Sequence, residues 1–352
     1  MNESIKNIDK RSQEDDMTFM KGAVFYGNRD MRVIDMPKAA AGQDGVLIQV
    51  KTVGICGTDL HTYKTGMFKE MSIPADNGVL FGHEFAGNVE EIGADAHLEG
   101  IQIGDRVTGI TFGAYAEYCR CGPELLGAPL VFKLPDHVSY EEAATTEPLA
   151  VSLSAVRRAD PKPGEKALII GAGMIGLGCI QVLKALCPQC EIIVSDLSEK
   201  RLKMAKTFGA DRTINVANED VVAVMKGEGE ESVLYNAKSS AQVDMVFECA
   251  GLEITLNQAL EITKPQTGRL VCVALYEKAC KVDVNQLVTK NIDIHGLFAY
   301  TPDDIKDAID LMASEKVDRK PLITHRFPLA DIKDAFETQI KVSESLKAVV
   351  NF

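Results

Sequence analysis

Three short segments carry residue types that suit a metal ion: Gly54-Ile55-Cys56-Gly57-Thr58-Asp59-Leu60-His61, Phe81-Gly82-His83-Glu84-Phe85-Ala86-Gly87, and Thr146-Glu147-Pro148-Leu149. A thiolate, an imidazole and a carboxylate together suit a catalytic zinc, which takes three protein ligands and keeps a fourth position open. There the ion acts as a Lewis acid on an oxygen and brings the pKa of an alcohol towards neutrality. Singly, each residue is ambiguous. A cysteine in a strand is usually a small core residue, and His83 beside Glu84 is also the pattern of a solvated pair. The combination gains weight from a glycine-rich loop downstream in the chain.

The apolar run Lys166–Ile170 leads directly into Gly171-Ala172-Gly173-Met174-Ile175-Gly176, with an apolar helix-like stretch behind it. In such a loop the first glycine permits a tight turn and the second lets backbone approach a pyrophosphate. The third lets helix and strand pack closely, and the helix N-terminus offers free N–H groups to the phosphates. The next apolar run ends in Asp196. A carboxylate there accepts hydrogen bonds from ribose hydroxyls and repels a 2′-phosphate, which favours NAD over NADP. Lys200 and Arg201 lie close by without directly following Asp196, and Arg201 is grouped with the cofactor-binding residues.

These residues need elements to hold them. From Lys21 to about Pro135 the chain is made of short strand-like runs punctuated by Gly, Pro and Asp, which predicts an all-β unit, a small barrel. A helical stretch follows, roughly Tyr140 to Ala159. Apolar strands then alternate with helix-length segments, the pattern of a parallel sheet wound with helices. From about Thr301 come a helix, a strand, a second helix and a strand ending at Phe352. The segment Val216 to Gln242 is charged and rich in Gly and Ser, and its composition leaves its local structure open. No internal repeat is evident.

A chain of 352 residues suits two domains. Its formal charge of -13 works against non-specific nucleic-acid binding, which needs clustered Lys and Arg. The first residues are polar and charged, unlike a secretory signal, and residues 1–17 read as a flexible tail. No run reaches the roughly 20 apolar residues that span a bilayer. Nine cysteines, an odd number, point to a reducing cytoplasm rather than a disulfide framework.

The ICGTDLH, GHEFAG, EPLA and GAGMIGLG segments, in this order, resemble the medium-chain zinc-dependent alcohol and polyol dehydrogenases, in particular the sorbitol, butanediol and threonine dehydrogenase branch. The resemblance covers nearly all of the chain after Met17. It implies a GroES-like β-barrel catalytic domain (18–155 and 300–352) and a Rossmann, doubly wound NAD-binding domain (156–299). Cys56 and His83 then match zinc ligands, and Glu84 matches either a ligand or a carboxylate just outside the metal's donors. Glu147 matches a carboxylate that binds directly or through water, and Thr58 and His61 match a proton relay. A homodimer or homotetramer is implied by the strand-like run Asn291–Phe298, whose equivalent pairs across a dimer interface in that family.

The chain departs from the family where Gly104-Asp105-Arg106-Val107 is followed almost at once by Gly113-Ala114-Tyr115-Ala116-Glu117-Tyr118. That leaves no room for a four-cysteine structural-zinc lobe, so one catalytic zinc per chain is expected. The pairs Cys187/Cys190 and Cys119/Cys121 read as structural or incidental thiols, and His97, His137, His295 and His325 as structural or surface residues. Tyr63, Phe68 and Phe112 suggest an apolar substrate wall, beside Lys64, Lys69 and the stretch Phe298–Thr301. A small secondary alcohol is the expected substrate, with a sorbitol-like polyol or vicinal diol favoured over threonine or a sugar phosphate. A zinc-free quinone or enoyl reductase would lack the Cys–His–Glu set, and a non-catalytic dinucleotide binder would have broken ligands or a broken relay.

Overall fold

The computed structural model describes residues 18–124, 127–227, 243–341 and 344–352. The expected tail (1–17) and residues 228–242 of the charged segment lie outside the described residues. Two compact units divide the chain, one running to Thr146 and resuming at Lys320–Phe352, the other Glu147–Arg319.

In the first unit the strands are β1 (Phe19–Gly27), β2 (Asp30–Pro37), β3 (Val46–Gly54), β4 (Ile73–Ala75), β5 (Gly78–Leu80), β6 (Glu84–Ile92), β7 (Arg106–Gly109), β8 (Tyr118–Cys121) and β9 (Val131–Lys133). Helix α1 (Gly57–Thr65) follows β3, and a single turn, α2 (Tyr140–Ala143), follows β9. Among the described residues these strands form a four-stranded sheet ordered β2-β1-β5-β4 and part of a seven-stranded sheet. Val, Ile and Leu dominate β3, and most of its side chains are buried, as a strand with neighbours on both sides requires. The antiparallel register of β3 with β6 sets Gly54 opposite Glu84. Cys56 lies just past the end of one strand and His83 just before the start of the other, so strand pairing alone brings the two segments together.

The second unit begins within α3 (Thr146–Ala159) and continues through β10 (Lys166–Ile170), α4 (Met174–Leu186), β11 (Glu191–Asp196), α5 (Glu199–Thr207) and β12 (Arg212–Asn215). It goes on through α6 (Val221–Lys226), β13 (Met245–Glu248), α7 (Glu253–Ile262), β14 (Arg269–Cys272), α8 (Val284–Lys290), β15 (Asp293–Gly296) and α9 (Pro302–Ala313). All its strand pairs are parallel and ordered β12-β11-β10-β13-β14-β15. The chain reverses its direction of winding at β10, the place where open sheets of this kind bind ligands beyond their carboxyl ends. Residues Ala167–Ile170 are almost wholly buried, which explains the unbroken apolar run in the sequence.

Helix α9 and all of α3 after its first residue belong to this unit. The physical reason is their mutual pairing: Arg157 on α3 binds Asp304 at 2.6 Å and Asp307, both on α9. The Ser152 hydroxyl also donates to the carbonyl of Ile175 at 3.1 Å. The chain then returns to the first unit as β16 (Ile323–Pro328), α10 (Ile332–Ile340) and β17 (Lys347–Asn351). Strand β17 pairs antiparallel with the other side of β3, setting Val349 opposite Gly54. Lys347 therefore arrives at the same end of the sheet as Cys56 and Glu84.

Candidate metal centre and nucleotide loop

The pairing of β17, β3 and β6 gathers one set of donor atoms. Ligand atoms of Cys56, His83, Glu84 and Glu147 all lie within 4.8 Å of one another. Among the described residues this is the one group of three or more His, Cys, Asp or Glu side chains able to hold a metal. Glu147 reaches it from the first turn of α3, one peptide bond after Thr146, whose hydroxyl donates to the Ala143 carbonyl at 2.7 Å.

Cys56 is the N-cap of α1, and its N–H donates to Asp59 Oδ2 at 3.0 Å. Asp59 is buried and also accepts from the Tyr115 hydroxyl at 2.7 Å, while its Oδ1 stands 3.4 Å from His83 Nδ1. A carboxylate on one ring nitrogen fixes the tautomer and leaves the other nitrogen's lone pair for a metal. Burial disfavours a charged His83, but the negative Asp59 and Cys56 outweigh it and raise its pKa well above the ordinary value. Burial and the neighbouring Asp59 also push the Tyr115 phenol far up, so it stays a donor. Lys347 Nζ donates to both oxygens of Glu84, at 2.9 and 2.6 Å, and to the Ile55 carbonyl at 2.8 Å.

The electrostatic account fits a dication. Three carboxylates and the Cys56 sulfur meet here with only the Lys347 ammonium and the His83 ring to balance them, and such a cluster is costly to bury without further positive charge. Sulfur, nitrogen and oxygen donors at this spacing also match the ligand types of a catalytic zinc.

The structure places Thr58 and His61 three residues apart on α1, hence on neighbouring positions of one helix face. The Thr58 hydroxyl is 3.8 Å from Cys56 Sγ. Phe112 sets its ring 6.2 Å from that of His83. Tyr63 is a correction to the expected substrate wall. It is fully buried, its hydroxyl donates to Glu337 Oε1 at 2.9 Å, and its ring packs 4.9 Å from that of Phe336, so it is core. His97, His137, His295 and His325 stand outside the metal group, and none of the nine cysteines is in a disulfide. Cys187 and Cys190 are buried with their sulfurs 3.4 Å apart.

In the second unit β10 runs into Gly171, whose φ of +98° makes the turn. Helix α4 then starts at Met174 and Ile175 with Gly173 as its N-cap. A Cβ on Gly176 would fall 2.0 Å from the Gly171 carbonyl oxygen, so only glycine lets the helix pass so close to the strand. Asp196 ends β11; its Oδ2 accepts from the Ala172 N–H and its Oδ1 from the Ser198 N–H, both at 2.7 Å. Arg201, on α5, brings its guanidinium 3.9 Å from where a Gly173 Cβ would sit. The carboxylate and the guanidinium thus both border the phosphate loop.

Sequence reasoning missed Asp59, Tyr115 and Lys347. Asp59 had a signal, because an acidic residue three positions after an N-cap forms a capping box. Tyr115 and Lys347 had none, since their partners are 56 and 263 residues away.

Residues 42–136 match the family described as alcohol dehydrogenase GroES-like domain, and residues 175–314 match the zinc-binding dehydrogenase family. The chain is 33% identical over 343 residues to sorbitol dehydrogenase of Bos taurus, covering 90% of this chain and 92% of that one. It is 32% identical over 357 residues to L-idonate 5-dehydrogenase of Vitis vinifera, covering 94% of each. Among solved structures, 2R,3R-butanediol dehydrogenase from Bacillus subtilis superposes with a TM-score of 0.79 at 30% identity, covering 95% of this chain and 99% of that one.

Proposed function

This chain belongs to the zinc-binding alcohol dehydrogenase family with a GroES-like domain, and from that premise we propose that it oxidises one secondary hydroxyl of a polyol or vicinal diol with NAD. The observation that carries the reading is the gathering of Cys56, His83, Glu84 and Glu147 donors within 4.8 Å. Cys56, His83 and Glu147 are the residues that hold the zinc. Glu84 is committed to Lys347 through both of its oxygens, which argues for Glu147 as the third ligand.

When bound, zinc supplies Lewis-acid polarisation of the substrate hydroxyl, and NAD supplies the acceptor for the hydride. The chain's own task is to position and to move a proton. The Thr58 hydroxyl accepts the substrate's proton as it releases its own towards His61, three residues on along α1, whose imidazole passes it to solvent. Gly171, Gly173 and the N–H groups at Met174, Ile175 and Gly176 cradle the pyrophosphate. Asp196 selects the unphosphorylated ribose, with Arg201 beside the loop. Nine cysteines without a disulfide suit a reducing cytoplasm, and no helix among the described residues is long and apolar enough to cross a membrane.

Zinc content and NADH formation on a panel of sorbitol-like polyols, vicinal diols, threonine and polyol phosphates test this together. We expect one zinc per chain and the fastest NAD reduction with a polyol or diol. Zinc-free protein that reduces NAD with no panel member overturns the reading.

A further inference from the structure

We infer that Tyr115 is a positioning residue for His83, holding it from two sides without touching the metal. From the side chain, the Tyr115 hydroxyl is 2.7 Å from Asp59 Oδ2 and 3.1 Å from the Gly54 carbonyl oxygen. Its single proton goes to the charged and nearer acceptor. That bond, with the one from the Cys56 N–H, fixes the plane of a carboxylate whose other oxygen faces His83 Nδ1 at 3.4 Å. Without the hydroxyl, Asp59 keeps one donor fewer and turns more freely, and the imidazole it orients turns with it.

From the backbone, the segment before His83 is laid directly on the Tyr115 ring. A Cβ on Gly82 would fall 2.7 Å from Tyr115 Cδ2, and Gly82 has a φ of +102°, so only glycine fits there. The Tyr115 N–H donates to the Phe81 carbonyl at 3.1 Å, and those of Gly113 and Ala114 donate to Gly82 at 3.0 Å. The ring itself is wedged edge-on between Phe81 and Phe336, each with its centroid 5.5 Å away. Its hydroxyl therefore has one direction available. Packing in the aromatic core is converted into the aim of a metal ligand.

This inference rests on the reading that His83 holds zinc, so the test separates the two. Zinc affinity is measured by chelator competition, and the visible spectrum of cobalt-substituted protein is recorded, for wild type, H83Q, Y115F, D59N and Y115F/D59N. A variant with 3-fluorotyrosine at position 115 keeps the hydroxyl. We expect Y115F to bind zinc about tenfold more weakly and to shift the cobalt bands, as removing an outer hydrogen-bond partner does. The fluorinated variant should stay at the wild-type value, and the double variant should bind no more weakly than D59N alone. If H83Q binds zinc like wild type, the metal reading falls. If H83Q loses zinc while Y115F matches wild type in affinity and spectrum, or if the Y115F and D59N losses simply add, the Tyr115 inference alone is overturned.

Discussion

Two glutamates meet the metal group, and their different partners separate their roles. Lys347 and Glu84 are 2% and 1% exposed, so each offsets the other's desolvation only while both are present. We predict that E84Q destabilises the fold by about 3–5 kcal/mol, because it leaves the Lys347 ammonium buried without its counter-charge, yet still purifies with zinc. E147Q should do the reverse, losing the metal while the metal-free protein keeps its denaturation midpoint. Metal analysis alongside denaturant unfolding reads both, and zinc retained by E147Q but lost by E84Q would reverse the assignment. Cys56 and His83 were legible by type and by their place in short glycine-flanked segments, and Glu147 by its type beside Pro148. Lys347 was not, because a lysine in a terminal strand reads as a surface residue until the strand's neighbour is known. Tyr63 misled for a related reason. Its position two residues after His61 placed it near the site in sequence, while the helix turned it into the core.

At the scale of elements, α9 shows how a cap can also be a tie. Asp304 accepts from the Thr301 N–H and hydroxyl, both at 2.9 Å, closing a capping box, and takes Arg157 of α3 on its other oxygen at 2.6 Å. Burial alone would raise the Asp304 pKa, but these donors outweigh it and hold it below the ordinary carboxylate value. A carboxylate depressed in the folded state adds stability above its unfolded pKa, and that stability is lost as pH falls through the folded one. D304N should therefore cost about 1–2 kcal/mol at neutral pH, the Arg157 side chain being 43% exposed and its share screened. The gap from wild type should close below about pH 4, as followed by urea unfolding across a pH series. A gap unchanged down to pH 2 would falsify the ionic account. The helix and its Thr-Pro-Asp-Asp start are readable from sequence. The partner helix is not, because Arg157 lies 147 residues from Asp304 in the chain.

For the whole molecule, the parallel sheet ends at β15, whose surroundings are unusually apolar for an edge. Val288 is 74% and Phe298 73% exposed, with Leu275 and Ile294 also open to solvent. An uncovered apolar edge strand is a template for pairing with a second copy. We predict a dimer or larger assembly built on this edge, and a V288D/F298D variant that sediments as a monomer; a monomeric wild type, or an unchanged mass for the variant, refutes it. The alternation of strand and helix from Lys166 onward made this sheet legible, down to its nucleotide loop. In the first unit the residues by themselves read as a β-rich region, and only the family resemblance joined the C-terminal segment to it, since two of its strands lie beyond the whole second unit in the chain. That detour sets an order of events during synthesis. Glu147–Arg319 is one continuous stretch and can fold as it leaves the ribosome, whereas the seven-stranded sheet waits for β16 and β17. Until Lys347 emerges, Glu84 has no counter-ion and β3 has an open side, so the ion pair beside the metal donors can form only after the whole nucleotide-binding unit has been made.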